Sequence, residues 1–156
     1  MRYILLAVTG CLLLSGCGLS RDPVPLRLEL PLRELANRTV ETPIEIEYRC
    51  VYELTLRLHH REGRMREYEA LLVNKELPVE MRVELRNEAA QPVLQKSVRA
   101  KHFGESPTLS SFAIASTILE PGKYQLTIAS GDIPSQLLSA LAELVVQQPP
   151  KTLCPK

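Results

Sequence analysis

Apolar and polar residues alternate along most of the chain with a period of two. In LRLELPL the apolar side chains are Leu26, Leu28, Leu30 and Leu32, with charged residues or proline between them. From Ile44 the even positions carry Ile44, Ile46, Tyr48, Cys50, Tyr52, Leu54, Leu56 and Leu58, and the odd positions are mostly charged or polar. Successive side chains of a strand point to opposite faces, so this pattern predicts strands with one buried and one solvated face. Strands usually end after about five or six residues, so a bend or bulge is expected near residues 48–50. Met81-Val83-Leu85, Phe112-Ile114 and Tyr124-Leu126-Ile128 predict further strands, and residues 93–100 and 140–146 two weaker ones. NEAAQP, residues 87–92, supplies a turn between two of them.

Residues 61–74, REGRMREYEALLVN, change the period. Met65, Tyr68, Leu71 and Leu72 fall at helical spacing, and Glu62 and Arg66 stand four apart in the supportive order. A short helix crossing between strands is predicted there. In LEPGKYQLTI, residues 119–128, Pro121 presets the first corner position and Gly122 accepts a positive φ at the second. That is the signature of a type II turn. Tyr124 then opens the next strand, where it can bury its ring and return its hydroxyl to the backbone, as in a tyrosine corner. This structural reading of Pro121, Gly122 and Tyr124 is preferred to a catalytic tyrosine. Seven to eight short strands with one helical insert favour a mainly β protein, an immunoglobulin-like antiparallel β-sandwich, over a doubly wound sheet.

The first residues follow a different logic. After Arg2, residues 3–14 are almost wholly apolar, too few for the roughly 20 that span a bilayer as a helix. They fit the hydrophobic region of an export signal, yet no A-x-A-like cleavage site follows. Instead Leu14-Ser15-Gly16-Cys17 resembles the lipobox of bacterial lipoproteins. That resemblance implies cleavage before Cys17, diacylglycerol on its thiol and acylation of its amine. Stable anchoring takes two or more chains, and each buried methylene is worth about 0.8 kcal/mol. Gly18, where aspartate would hold the protein back, implies sorting to the outer membrane, facing the periplasm.

The expected organisation is a signal peptide over residues 1–16 and a lipidated tether over 17–25. A β-sandwich domain over 26–148 and a C-terminal tail over 149–156 follow. The chain carries 19 basic and 18 acidic side chains, and loss of Arg2 with the signal balances them. A neutral mature chain argues against nucleic acid as a partner. Tryptophan is absent and aromatic residues make up 4%, which lends little support to a stacking site. Of the four cysteines, Cys11 leaves with the signal and Cys17 is the lipid attachment point. Cys50 and Cys154 remain, and an exported chain meets conditions in which disulfides persist. Their pairing is expected, the alternative being a buried free Cys50 and a frayed tail.

With these features in view, the lipobox, YRCVYELTLRLHH, the charged insert and LEPGKYQLTIAS together resemble an uncharacterised bacterial lipoprotein family with a single domain of unknown function. The resemblance covers residues 42–146 and implies a fold and a cellular address without an activity.

Candidate chemistry is sparse. The seven glycines form neither a dinucleotide fingerprint nor a phosphate loop, and no G-x-S-x-G elbow is present. His59 and His60, with His102 or Glu62, could be considered as metal ligands. Adjacent strand residues face opposite sides, however, and no metal or cofactor is expected. Arg57, His59, His60, Arg61, Arg64 and Arg66 form a local basic cluster. It could meet an acidic protein or phosphate headgroups, or be a solvated face balanced by Glu62, Glu67 and Glu69. Three functions follow, in order of preference. The first is a non-enzymatic module that binds an envelope protein, for instance an immunity protein against a periplasm-acting toxin. A small-ligand or lipid binder using a concavity lined by Met65, Tyr68 and Leu72 comes second, and an envelope hydrolase third.

Overall fold

A computed structural model describes residues 25–36, 38–59, 70, 72, 75–106, 108–138, 140–149 and 154. The predicted signal, Cys17 and the tether up to residue 24 lie outside the described residues, as do His60, Arg61, Arg64, Arg66 and most of the predicted helix at 61–74.

Among the described residues, eight strands account for nearly all the regular structure. They are β1 (Leu26–Pro31), β2 (Val40–Ile46), β3 (Cys50–His59), β4 (Glu76–Asn87), β5 (Pro92–Ser106), β6 (Leu109–Leu119), β7 (Gly122–Ser130) and β8 (Leu141–Gln147). All neighbouring pairs are antiparallel, in the order β1-β8-β3-β6-β5-β4-β7-β2. The chain is therefore the mainly β antiparallel protein that the alternation predicts, built as one continuous, nearly barrel-like sheet.

The sheet doubles back through β5. Residues 92–101 of this long strand pair with β4, and residues 101–106 pair with β6. A bulge between His102 and Gly104 marks the bend, the usual device by which a strand passes from one layer to another. One layer is thus β1-β8-β3-β6 and the other β4-β7-β2, with β5 shared. Their inner faces meet in a single core that joins Leu54, Leu56, Phe112 and Leu144 to Ile44, Val83, Leu85, Leu126 and Ile128.

The expected break near residues 48–50 is the gap between β2 and β3, where the chain leaves one layer for the other. A second irregularity was not anticipated. Leu54 pairs with Ala115 and Thr55 with Ala113, so Ile114 is an extra residue in β6. The bulge reverses the phase of β6, which buries Ile114 and Ala115 in succession.

Alternation alone reads Leu32 as the end of β1, but Pro31 stops the ladder and residues Leu32–Leu35 form a helical turn, α1. Leu32 and Leu35 are both buried, and Glu34 pairs with Arg38 one turn on. α1 links the two outermost strands of the sheet, β1 and β2, and contacts β7 as well as β1. Ser130 Oγ donates to the Leu35 carbonyl at 3.2 Å, fastening α1 to the far layer.

The β4–β5 hairpin is the predicted turn at NEAAQP. Asn87 Oδ1 accepts from the amides of Ala89 (3.1 Å) and Gln91 (2.9 Å), and Ala90 takes the left-handed conformation at φ 59°. Alanine is an unexpected occupant there, since that conformation crowds its Cβ.

Candidate functional site

At one end of the sandwich the chain crosses twice between layers, and the predicted structural residues gather there. Gly122 has the expected positive φ, but at 151° it lies beyond the roughly 80° of a type II turn. Gly122 also pairs with Ile46, so the corner is a direct arc into β7 rather than a separate turn. Tyr124 is buried, and its hydroxyl donates to the Glu120 carbonyl at 2.8 Å. Burial pushes this phenol above its ordinary pKa, against the smaller opposing effect of the bond to Glu120.

Sequence reasoning missed a second corner of the same form. Tyr52 is buried and donates to the Tyr48 carbonyl at 3.0 Å, again four residues back. Gln148 Nε2 donates to the same hydroxyl at 3.3 Å. The repeated spacing, Tyr48 to Tyr52 and Glu120 to Tyr124, was the available signal, obscured because no Pro-Gly pair marks the first. Arg49 Nε and Glu120 Oε1 join the two crossings at 2.7 Å.

Cys50 opens β3 beside this corner and is bonded to Cys154, with Cα atoms 4.9 Å apart and a sequence separation of 104. Cys50 pairs with Leu119, so the bridge holds the C-terminal tail against the two crossings. Leu26 lies opposite Val146, which lies opposite Leu54, so β1 also begins towards this end.

The basic cluster lies towards the opposite end. Among its described members, Arg57 and His59 face outward from β3 and converge on Glu143 of β8. His59 Nε2 is 3.3 Å from Glu143 Oε1, Arg57 Nη1 3.8 Å, and Arg27 Nη1 of β1 3.5 Å from the same oxygen. Arg57 Nη2 also donates to Gln147 at 3.4 Å. Glu143 and Arg57 are mostly shielded, with 13% and 19% of their side chains exposed, and Arg57 Nε has no hydrogen-bond partner among the described residues. The cluster thus ties β1, β8 and β3 together across the solvated face. Its carboxylate was absent from the sequence reading, because only register reveals that Arg57 and Glu143 are opposite each other.

His102 packs its ring on Phe112, with centroids 5.4 Å apart, and so belongs to a different environment from His59. Among the described residues, no three histidine, cysteine or acidic side chains converge as metal ligands. Leu72, from the predicted helix, packs against the core.

No protein-family model matches the chain, and neither does any curated protein. A solved structure does: the crystal structure of GEBA250068378 from Sulfurospirillum deleyianum is 14% identical, with a TM-score of 0.63. The match covers 83% of this chain and 99% of that one. At that identity the likeness concerns the fold alone.

Proposed function

We propose that the chain is a lipid-anchored bacterial envelope lipoprotein whose sandwich acts as a non-enzymatic protein-binding module. The observation that carries this reading is the Cys50–Cys154 bridge, taken with the lipobox-like Leu14-Ser15-Gly16-Cys17. Bridged cysteines point to an oxidising compartment, which is where a lipobox sends a chain. Once the signal is removed and Cys17 acylated, all four cysteines are accounted for.

β1 runs from the level of Leu54, midway along β3, to the level of His59, away from the disulfide. This direction favours an anchor on the disulfide side and leaves the end bearing His59, Leu109 and Leu141 to a partner. Of the basic cluster, Arg57 and His59 engage Glu143 and so help hold β3 against β8. The finer version of the reading is an immunity protein that neutralises a toxin acting in the periplasm.

A small-ligand function is the second reading. The enclosed cavity between α1, β3, β4 and Leu137, lined by Leu32, Leu56, Val79 and Met81, measures about 10 Å³, while two open depressions on the sheet measure about 540 and 420 Å³. Ligand pockets run to roughly 300–1,000 Å³.

Intact-mass analysis of protein from its native host tests the anchor: a diacylglycerol thioether on Cys17 is expected, and an unmodified thiol overturns it. Deletion of the gene should sensitise cells to sibling toxins if the immunity version holds; unchanged survival rules that version out.

A further inference from the structure

The start of β1 lies close to the disulfide. Leu26 stands level with Val146 and Leu54, two strands away from β3, and Cys50 opens β3 four residues before Leu54. At about 4.8 Å between strands and about 3.3 Å per residue, Leu26 and Cys50 are about 16 Å apart. Cys17 precedes Leu26 by nine residues, a length of chain that reaches at most about 32 Å. A free thiol at position 17 therefore has the Cys50–Cys154 bridge within its range.

Range matters because thiols exchange with disulfides. Cys50 is buried, whereas Cys154 is only partly so, and Cys154 thus offers the sulfur open to attack. A free Cys17 thiolate would bond to Cys154 Sγ, the bond to Cys50 would break, and Cys50 would leave as a thiolate and take up a proton. A short flexible linker holds such a nucleophile at about millimolar effective concentration. Before the domain folds, the competition is sharper. Cys17 and Cys50 are 33 positions apart, against 104 for the native pair. Loop closure weakens roughly as the −3/2 power of length, so the wrong pair closes about fivefold more readily.

A thioether removes this competitor. As Cys17 takes diacylglycerol, its sulfur bonds to the glycerol carbon of a phospholipid donor. The carbon–oxygen bond to the phosphate headgroup breaks, and the headgroup leaves with the thiol proton. The resulting sulfur can no longer become the thiolate that attacks disulfides. Once the signal has left, only Cys50 and Cys154 remain as thiols. Their oxidation passes two electrons and two protons to the disulfide of an oxidoreductase, with a single intramolecular pairing open to it. We infer that acylation of Cys17 is a protecting step: diacylglycerol transfer must precede the oxidation that joins Cys50 to Cys154. This rests on the lipobox reading above and adds an order of reactions to it.

The test uses the full-length chain with Cys11→Ser, which leaves Cys17, Cys50 and Cys154 as its cysteines. In the native host, pulse-labelled chains are trapped with a maleimide at intervals and resolved by mass. Chains with the thioether and two free thiols should appear first and convert into bridged chains. Bridged chains that still have a free Cys17 and gain lipid later would overturn the order. In vitro, the unlipidated chain is reduced, unfolded and reoxidised in glutathione buffer on dilution from urea, and its first disulfides are acid-trapped and mapped. Cys17–Cys50 should exceed Cys50–Cys154 about fivefold, and adding Cys17→Ser should leave Cys50–Cys154 as the sole intramolecular pair. A majority of Cys50–Cys154 with Cys17 free would overturn the protecting role. An unmodified Cys17 in native protein fails the anchor reading itself, whereas a thioether acquired after the bridge fails this inference alone, so the two failures are distinguishable.

Discussion

At residues 47–49 and 120–121 the chain crosses between layers in opposite directions, and each crossing leads to a tyrosine bonded to the carbonyl four residues back. The two corners differ in what surrounds them. Tyr124 follows a backbone already prepared by Pro121 and Gly122, and its hydroxyl makes one hydrogen bond among the described residues. Tyr52 follows Tyr48, Arg49 and Cys50, with neither proline nor glycine to set the bend. Its hydroxyl accepts from Gln148 while donating to Tyr48, and the disulfide clamps the strand two residues earlier. Where local backbone preference is weak, tertiary contacts hold the same geometry.

The largest test of that contrast is Cys50→Ser. Opening a loop of about 100 residues should remove about 4–5 kcal/mol of stability, read from urea unfolding of oxidised wild type and variant. An unchanged midpoint would mean that the Tyr52 corner needs no clamp. Next come the tyrosines themselves. Tyr52→Phe removes a hydroxyl with two hydrogen bonds and should cost about 2 kcal/mol, against about 1 kcal/mol for Tyr124→Phe. Equal losses would show that the Gln148 contact contributes nothing.

A smaller effect separates the corners by pH. The Tyr124 phenol is raised, chiefly by burial, so the fold favours its neutral form. Its contribution to stability is therefore present below about pH 10 and is lost as pH rises through the raised folded value. Tyr124→Phe should flatten that part of the alkaline decline in melting temperature; an identical decline in the variant would contradict the assignment. Smallest is Arg49→Gln. Both members of the Arg49–Glu120 pair are more than half exposed, so its loss should cost less than about 0.5 kcal/mol and shrink further in salt. A larger, salt-resistant loss would mean that the two corners form one cooperative unit.

Much of this was legible along the chain. Leu54, Leu56 and Leu58 face the core because their neighbours are polar, and period-two alternation needs no knowledge of partners. Tyr124 was legible because proline and glycine announce a corner. Tyr52 was not, since its bond depends on a crossing that only the paired strands define. The same holds at the candidate surfaces. Arg57 reads as part of a basic run, yet the register of β3 against β8 gives it Glu143, distant in sequence but adjacent in space. Residues 114–119 read as an ordinary half-buried strand, and only the departure of β5 leaves one of their edges without a paired strand among the described residues.

By itself, then, the sequence determined which residues are buried, where the strands run, and the lipobox-like start that suggests an address. Those properties are local, set by side-chain alternation and backbone preference within a few residues. Strand order, the joining of Cys50 to Cys154, the cations gathered on Glu143 and the passage of β5 from β4 to β6 were decided by the tertiary structure. Each requires segments distant in sequence to be placed side by side, and pairwise register is a property of the folded sheet that no single strand contains.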